Sequence, residues 1–304
     1  MKKIIWIFFI IFLINNLYAQ DTSKISADTL HNQITKQDTF CFKYRFYPKD
    51  TLIYQVQTID SLNQGLDEPI MKDRKETLQV VCDSVDKIMN YYLTLQLLSS
   101  ETKEWNQKGD SSTRNFSVWI GKEIHLVIDS LGNRLKGWNA DTTHIASTLG
   151  GIFQPYLFFP IKENCKRINQ SWLIKTQDTL FENAFPPGII DQTSLFRLKD
   201  TVYTESDSSL MITFVKTARG FYGINSADMN FIIDAKINSY GELILSMVNQ
   251  IPKDYTITQE LKMQMKYPDE HEIPIWQFTI IHYSLTELKR SKIEEMQTLK
   301  KQKR

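Results

Sequence analysis

From Phe40 onward, the chain alternates apolar and polar residues in runs that are separated by turn-forming residues. The first run carries aromatic side chains at alternate positions: Phe40, Phe42, Tyr44 and Phe46. A period of two is typical of a strand with one buried face. Pro48-Lys49-Asp50 then favours a turn, so the alternating stretch at 52–56 is predicted to return as the partner strand of a hairpin.

The same alternation continues through the first half of the chain. It recurs at 78–82, 91–97, 116–120 and 124–128, with turn residues at Gly121-Lys122 and Gly132-Asn133. Successive runs that are joined by short turns pair antiparallel, which predicts a meander of about six strands.

The second half shows the same pattern. Strands are predicted at 172–174, 195–203, 210–214, 231–237, 243–247, 261–265 and 276–280. Arg219-Gly220 is predicted as a turn, and Tyr240-Gly241 as the turn of a hairpin. In the last strand, Trp276, Phe278 and Ile280 share the apolar face. Residues 39–138 and 170–286 can be read as two related halves, since each places an apolar strand ending in aspartate before a glycine turn; two unrelated hairpins are the alternative.

Residues 139–160 join these halves and predict one central helical segment. Asp141 or Thr142 can cap it, and no charged residue occurs from Thr142 to Ile161, which indicates burial against the sheet. Its glycines and prolines disfavour a membrane span. The predicted fold class is therefore mainly β (α+β), with a large curved antiparallel sheet and this segment packed on it, in a single domain over 39–286.

The ends of the chain predict a location outside the cytoplasm. Lys2 and Lys3, the apolar run 4–14 and the small residue Ala19 are typical of a cleaved signal peptide over 1–19, so the protein is expected in the periplasm or outside the cell. Position 20 is glutamine rather than the cysteine that a lipid anchor requires. Residues 20–38 resemble a flexible leader, and 287–304 a basic tail that provides no stable membrane anchor.

Charge and cysteine content narrow the functional classes. The chain holds 36 basic and 35 acidic residues, and this balance argues against a nucleic-acid partner. Its three cysteines are Cys41, Cys82 and Cys165. An odd number leaves at least one unpaired. Cys82 shares a strand face with apolar residues and is predicted to be buried, whereas Cys41 and Cys165 can pair, although their spacing alone does not show it.

The sequence contains no motif that predicts catalysis. Asp269-Glu270-His271-Glu272 is the most metal-like cluster, but consecutive residues on a turn cannot all converge on one ion, so a polar hairpin loop is predicted. His125 and His282 have no companion at ligand or triad spacing. We therefore predict no catalytic residue, no metal and no cofactor; an enzyme would need acidic, histidine or cysteine side chains that converge in one cleft.

Two segments carry a resemblance. Phe159-Pro160 followed by Asn169-Gln170-Ser171-Trp172, and then 231–241, resemble secreted bacterial β-proteins of unknown function in which a Gly-x-Ser/Thr-Trp strand start follows a proline-bearing segment. Asn169 stands here in place of the glycine. The layout over 40–285 resembles the lipoprotein-carrier (LolA-like) fold, which implies a curved antiparallel sheet with an apolar concave face. The resemblance implies no catalytic residue.

The leading hypothesis is an exported, non-enzymatic protein that binds an apolar ligand, such as a lipid or a lipidated chain, between its curved sheet and the segment 142–159. The candidate ligand-binding residues are Ile145, Leu149, Phe153, Tyr156, Met263 and Met265. For the two methionines, ordinary core packing is the alternative. The alternative function is a structural or interaction component of the cell envelope, without a ligand cavity. The oligomeric state stays open.

Overall fold

Long antiparallel strands dominate the described part of the protein. The computed structural model describes residues 39–65, 68–139, 157–162, 165–180, 188–203, 207–225, 230–269 and 271–291. Within these ranges, which belong to a compact unit that begins at Thr39, the strands are β1 (Thr39–Cys41), β2 (Thr51–Asn63), β3 (Ile70–Val85), β4 (Tyr91–Trp105), β5 (Ser111–Arg114), β6 (Glu123–Ile128), β7 (Arg134–Asn139), β8 (Cys165–Arg167), β9 (Ser171–Leu180), β10 (Gly188–Tyr203), β11 (Ser208–Asn225), β12 (Asn230–Ser246), β13 (Pro252–Lys266) and β14 (Glu272–Lys289).

A 12-stranded antiparallel sheet holds all of these strands except β1 and β8. Its order is β7-β6-β4-β3-β2-β14-β13-β12-β11-β10-β9, and β5 pairs with β4 beside this path. From β2 to β4 and from β9 to β14, strands that follow one another along the chain are neighbours, and the pairing of β2 with β14 joins the two series. The predicted large antiparallel sheet is confirmed.

The predicted turns at Arg219-Gly220 and Tyr240-Gly241 are wrong, because β11 and β12 run straight through them. Gly241 lies opposite Phe214 and Ile257 in the sheet. A Cβ at this position would collide with the carbonyl oxygen of Thr256 and with the Phe214 ring. This glycine therefore gives a neighbouring ring room within a strand.

The aromatic run at 40–46 is buried at alternate positions as predicted, but the predicted hairpin with 52–56 is wrong. Phe42, Tyr44 and Phe46 belong to the main core cluster, whereas only Thr39–Cys41 forms a strand, which pairs with β8. The neighbours of β2 are instead β3 and β14. Residues 42–46 are thus a core segment without strand pairing, and their alternate side chains pack in the main core cluster.

A second predicted strand, 116–120, is also absent from the sheet. Phe116 is 72% exposed, and the segment contains turn residues and one isolated bridge, Leu97 with Ile120. Its apolar alternation therefore does not correspond to a buried strand face.

The predicted central helix is not supported. Residues 140–156 lie outside the described part of the chain, residues 157–162 are not helical, and the described residues contain no helix. No described helix could therefore cross a membrane. Residues 157–161 nevertheless carry deeply buried apolar side chains, as the charge-free sequence indicates.

The start of the predicted basic tail belongs to the sheet. β14 continues to Lys289, and Arg290 forms an ion pair with the fully buried carboxylate of Asp50. Arg290 also donates hydrogen bonds to the carbonyl oxygens of Arg45 and Asn249. These contacts fix the end of β14 against the turn before β2.

Two of the three cysteines form a disulfide, which is one of the pairings that the sequence left open. Cys41 of β1 and Cys165 of β8 lie directly opposite each other and form a disulfide. Cys82 is free and fully buried, as predicted, and burial raises the pKa of its thiol to about 12. The disulfide ties the buried run at 42–46 to the region that follows the 157–162 segment.

Candidate functional site

A cavity of about 280 Å³ lies inside the curve of the sheet. Leu126 and Ile128 of β6 line it, and so do Ile190 and Gln192 of β10. These strands stand near opposite ends of the strand order. Because both ends of the sheet line one cavity, the sheet must curve until its ends approach each other.

The segment 157–161 forms another wall of this cavity. Phe158, Phe159 and Pro160 line it, and the Phe159 ring stacks on Phe196 of β10 with 5.0 Å between ring centroids. The hydroxyl of Tyr44 donates a hydrogen bond to the carbonyl oxygen of Phe159 (3.1 Å). Tyr44 is fully enclosed, and this burial raises the pKa of its phenol, so the phenol stays a neutral donor.

The turn between β6 and β7 anchors the other side of this segment. The amide of Ile161 donates to the carbonyl oxygen of Leu131 (2.7 Å). Gly132 has a φ of 79°, and a Cβ there would collide with the Phe159 carbonyl oxygen and the Tyr44 ring. Glycine thus allows the backbone of the turn to approach the wall of the cavity closely.

A continuous row of polar residues crosses the inner face of the sheet. Cross-strand pairing places one such residue on each of eight adjacent strands, in the order Ser194, Lys216, Ser239, Gln259, Thr279, Asp60, Lys72 and Glu104. Five of these residues are at most 7% exposed: Ser194, Ser239, Gln259, Thr279 and Asp60. We call this set the polar row. Buried polar groups need partners, so the row indicates where polar ligand atoms can be accommodated on the inner face.

Lys216 is the charged residue of the polar row that lines the cavity. Its ammonium donates a hydrogen bond to the Tyr255 hydroxyl (3.1 Å) and lies 4.8 Å from the Phe214 ring centroid and 5.9 Å from that of Phe196. The Lys216 side chain is half-buried: part of it is exposed to the cavity that it lines, and protein atoms surround the rest. This burial lowers the pKa of its ammonium to about 8. Within the described residues, no carboxylate forms an ion pair with it.

The other end of the polar row is electrically balanced. Asp60 accepts hydrogen bonds from Arg74 (3.2 Å), Gln277 (3.0 Å) and Thr279 (2.7 Å). Lys72 pairs with Glu104 at 2.9 Å. Asp60, Lys72 and their charged partners line a second pocket of about 430 Å³. Its described lining holds three acidic and three basic residues: Asp60, Glu76, Glu104, Lys72, Arg74 and Arg114. The carboxylates there neutralise the cations, in contrast to the surroundings of Lys216.

The charged residues that line the cavity around Lys216 in the described structure are all positive. Its described lining residues include two cations, Lys216 on the floor and Arg134 at the start of β7, and no aspartate or glutamate. Uncharged polar side chains from the polar row, Ser239 and Gln259, lie beside the lysine, and the Ser239 hydroxyl donates to the Gln259 side-chain oxygen (3.1 Å). This site can therefore accept an anionic group next to apolar walls.

None of the candidate ligand-binding residues from the sequence is among the described lining residues of this cavity. Ile145, Leu149, Phe153 and Tyr156 lie outside the described residues. Met263 and Met265 pack against a second core cluster formed by Ile233, Ala235, Ile237 and Leu261. Of that cluster, Ile237 also lines the cavity. Ligand binding by the methionines stays a prediction.

The candidate metal cluster and the two other histidines lie on different elements. Asp269 and His271 lie in the loop between β13 and β14, as predicted for a hairpin. His125 hydrogen-bonds Thr94 and stacks on Trp138, while His282 is exposed beside Asp254. Among the described residues, no three histidine, cysteine or acidic side chains are grouped so that they could hold a metal ion.

Sequence reasoning missed Lys216, although a signal was present. The alternation Leu210, Ile212, Phe214 assigns position 216 to the same inner face. A charged residue in the apolar phase of a strand is a candidate for a buried functional group.

The comparisons add no family. No family model matches the chain, and no curated protein matches it.

Proposed function

We propose that this is an exported, non-enzymatic binding protein that holds an apolar or amphipathic ligand in the cavity between its curved sheet and the segment 157–161. The observation that carries the proposal is the cavity itself, which both ends of one sheet and an aromatic segment enclose. Its volume of about 280 Å³ is near the lower end of small-molecule sites.

The walls support an apolar ligand body. Phe158, Phe159 and Phe196 line one part of the cavity, and Ile237 and Ile257 line the floor. Aromatic and aliphatic walls with a few convergent polar groups are the usual composition of a ligand pocket. The layout is also compatible with the resemblance to the lipoprotein-carrier (LolA-like) fold, in which the concave face of a sheet is apolar.

Export is part of the proposal. The basic and apolar start of the chain is typical of a signal peptide, and the Cys41–Cys165 disulfide is compatible with an oxidising compartment. A diffusible carrier or binding protein outside the cytoplasm fits both features.

The test is native mass spectrometry of the purified protein after incubation with a lipid extract. We expect a retained adduct whose mass identifies the ligand. The variant Ala218→Phe tests the location of the ligand, because Ala218 lines the cavity and a phenylalanine there would fill part of it. The matched control is Thr217→Phe, since the neighbouring residue in β11 is exposed on the opposite face.

Ala218→Phe should abolish the adduct, while Thr217→Phe should keep it, with both variants retaining the thermal unfolding transition. Adducts that persist equally in both variants would place the ligand outside this cavity. The absence of any adduct from the unmodified protein would contradict the proposed function.

A second candidate is an interaction component of the envelope, and the outer face of the sheet favours it. Cross-strand pairing aligns six exposed apolar residues on one row that only Thr258 interrupts: Leu173, Leu195, Val215, Tyr240, Ile280 and Ile59. Each of the six is between 38% and 59% exposed. A contiguous exposed apolar patch is typical of a protein-binding surface.

A photo-crosslinking residue in place of Val215 tests this second candidate in intact cells. The control is the same residue in place of Gln57, an exposed polar position of β2. A partner captured from position 215 and not from 57 supports an interaction surface, and equal or no capture from both positions opposes it.

A further inference from the structure

The cavity combines a half-buried cation, which no described carboxylate neutralises, with apolar walls, and this combination indicates a ligand chemistry. Lys216 has no described carboxylate partner, and its Tyr255 contact is to a neutral hydroxyl. Burial raises the pKa of that hydroxyl well above its ordinary value, so Tyr255 does not ionise to supply the missing negative charge. Among the described residues, this positive group therefore has no counter-charge.

A buried charge of this kind is costly unless it is paired. The same sheet neutralises its other interior cations: Arg74 pairs with Asp60, and Lys72 pairs with Glu104. Lys216 differs from them because it faces a cavity large enough for a ligand. The missing partner is therefore best supplied by a ligand anion.

The surroundings of Lys216 indicate how such a ligand would lie. Gln192, Ser239 and Gln259 are polar neighbours of Lys216 on the cavity floor and can hydrogen-bond a negatively charged head group. The Phe158 and Phe159 side chains form the apolar wall contributed by the 157–161 segment. One ligand can contact both regions only if it is amphipathic.

We propose that the cavity binds a small amphiphile with an anionic head group, a carboxylate or a phosphate, which pairs with Lys216 while its apolar body contacts Phe158 and Phe159. This inference rests on the proposed function and adds the charge of the ligand to it. The two head groups share the same negative charge, and their relative affinities distinguish them.

The experiment measures the affinity of the purified protein for probes with one alkyl chain and different head groups, below their critical micelle concentrations. The probes are decanoate, decyl phosphate, decanol and decyltrimethylammonium, and isothermal titration calorimetry gives each dissociation constant. We expect at least one anion to bind on the order of tenfold or more tightly than decanol, because a charge-assisted contact in an enclosed site distinguishes them. The cation should bind most weakly.

Two substitutions of Lys216 separate charge from shape. Lys216→Met keeps the length of the side chain and should reduce the affinity for the anion to that for decanol, while decanol binding is retained. Lys216→Arg keeps the charge and should retain the preference for the anion. The control Lys236→Met removes an exposed lysine from the adjacent strand β12 and should leave every affinity unchanged.

The outcomes distinguish the inference about charge from the proposed binding function. If decanol and the anions bind equally well to the unmodified protein, the inference about charge is wrong and the binding function stands. If Lys216→Met keeps the preference for the anion, Lys216 is not its partner. If none of the probes binds, both the inference and the proposed function lose their support. Tighter binding of decanoate than of decyl phosphate, or the reverse, identifies the head group.

Discussion

Replacing Lys216 by methionine should stabilise the protein at neutral pH, although lysine is a residue of the candidate site. In the folded protein, burial lowers the pKa of the ammonium from 10.5 to about 8. A shift of that size corresponds to about 3 kcal/mol of destabilisation of the charged form. Methionine has a similar length and no charge, so it fits the same space without this penalty.

The sign of the pH dependence follows from the two pKa values. Below about pH 8 the lysine is protonated in the folded and unfolded states, and the folded protein carries the full penalty. As the pH rises further, the folded state loses the proton while the unfolded state retains it up to about pH 10.5. The unfolded state then binds more protons, so the stability of the unmodified protein rises with pH.

Urea unfolding of the unmodified protein and of Lys216→Met at about pH 7 and about pH 9.5 measures this effect. The advantage of the variant should shrink by about 2 kcal/mol between these two conditions. Pairwise subtraction removes the titration of groups that both proteins share. A difference in packing energy between methionine and lysine is a constant offset that does not depend on pH.

An unchanged stability difference at the two pH values would refute the reasoning, because it would mean that Lys216 titrates alike in the folded and unfolded states. A variant that is less stable at about pH 7 by several kcal/mol would show that the ammonium makes a net favourable contact in the fold. Lys236→Met, on the exposed face of β12, should show no pH-dependent difference.

The remaining predictions concern how the cavity wall is held. Removing the disulfide by Cys41→Ser with Cys165→Ser should lower the free energy of unfolding by about 2 to 5 kcal/mol in urea titration, since it closes a loop of 124 residues; an unchanged midpoint would contradict this. Gly109→Ala meets no atom within 4 Å and should cost about 1 kcal/mol from backbone strain alone, whereas Gly132→Ala should cost about 1 to 3 kcal/mol more because its Cβ collides with the cavity wall. Equal losses in these two glycine variants would show that the wall yields without cost.

Strands were predicted correctly from the sequence where apolar and polar residues alternate clearly. In β2, Leu52, Tyr54 and Val56 are buried, and in β3, Leu78 and Val80 are buried, as their period of two indicates. Period two reports which side chains are buried, and it does not report which chain segment lies alongside. That is why 42–46 was predicted as a sheet strand although it packs inside the sheet.

The last strand shows a second limit. The sequence predicted that Trp276, Phe278 and Ile280 form the inner face of β14, but Trp276 and Ile280 are exposed and Thr279 and Ile281 are buried. One inner position of this strand, Thr279, belongs to the polar row. Hydrophobicity therefore assigns the wrong set of alternate residues to the inner face. A polar residue faces inward there because Asp60 on β2 accepts its hydrogen bond.

The candidate site depends on register, which the sequence does not contain. Lys216 can be assigned to the inner face of β11 from alternation alone. Its neighbours Ser194 and Ser239 are found only once β10 and β12 are aligned residue by residue. The polar row is thus a property of eight aligned strands, and no single strand reveals it.

The pairing of β2 with β14 has a consequence for folding. Each series of consecutive strands can form from local hairpins, but the contact between Asp60 and Gln277 joins residues that are 217 positions apart. Closing so long a loop is slow, and until it closes β2 and β14 each present an unpaired edge that can join a wrong chain. We expect refolding to show a slow final phase that Asp60→Ala on β2 changes, and an aggregation tendency that is greatest before that phase is complete.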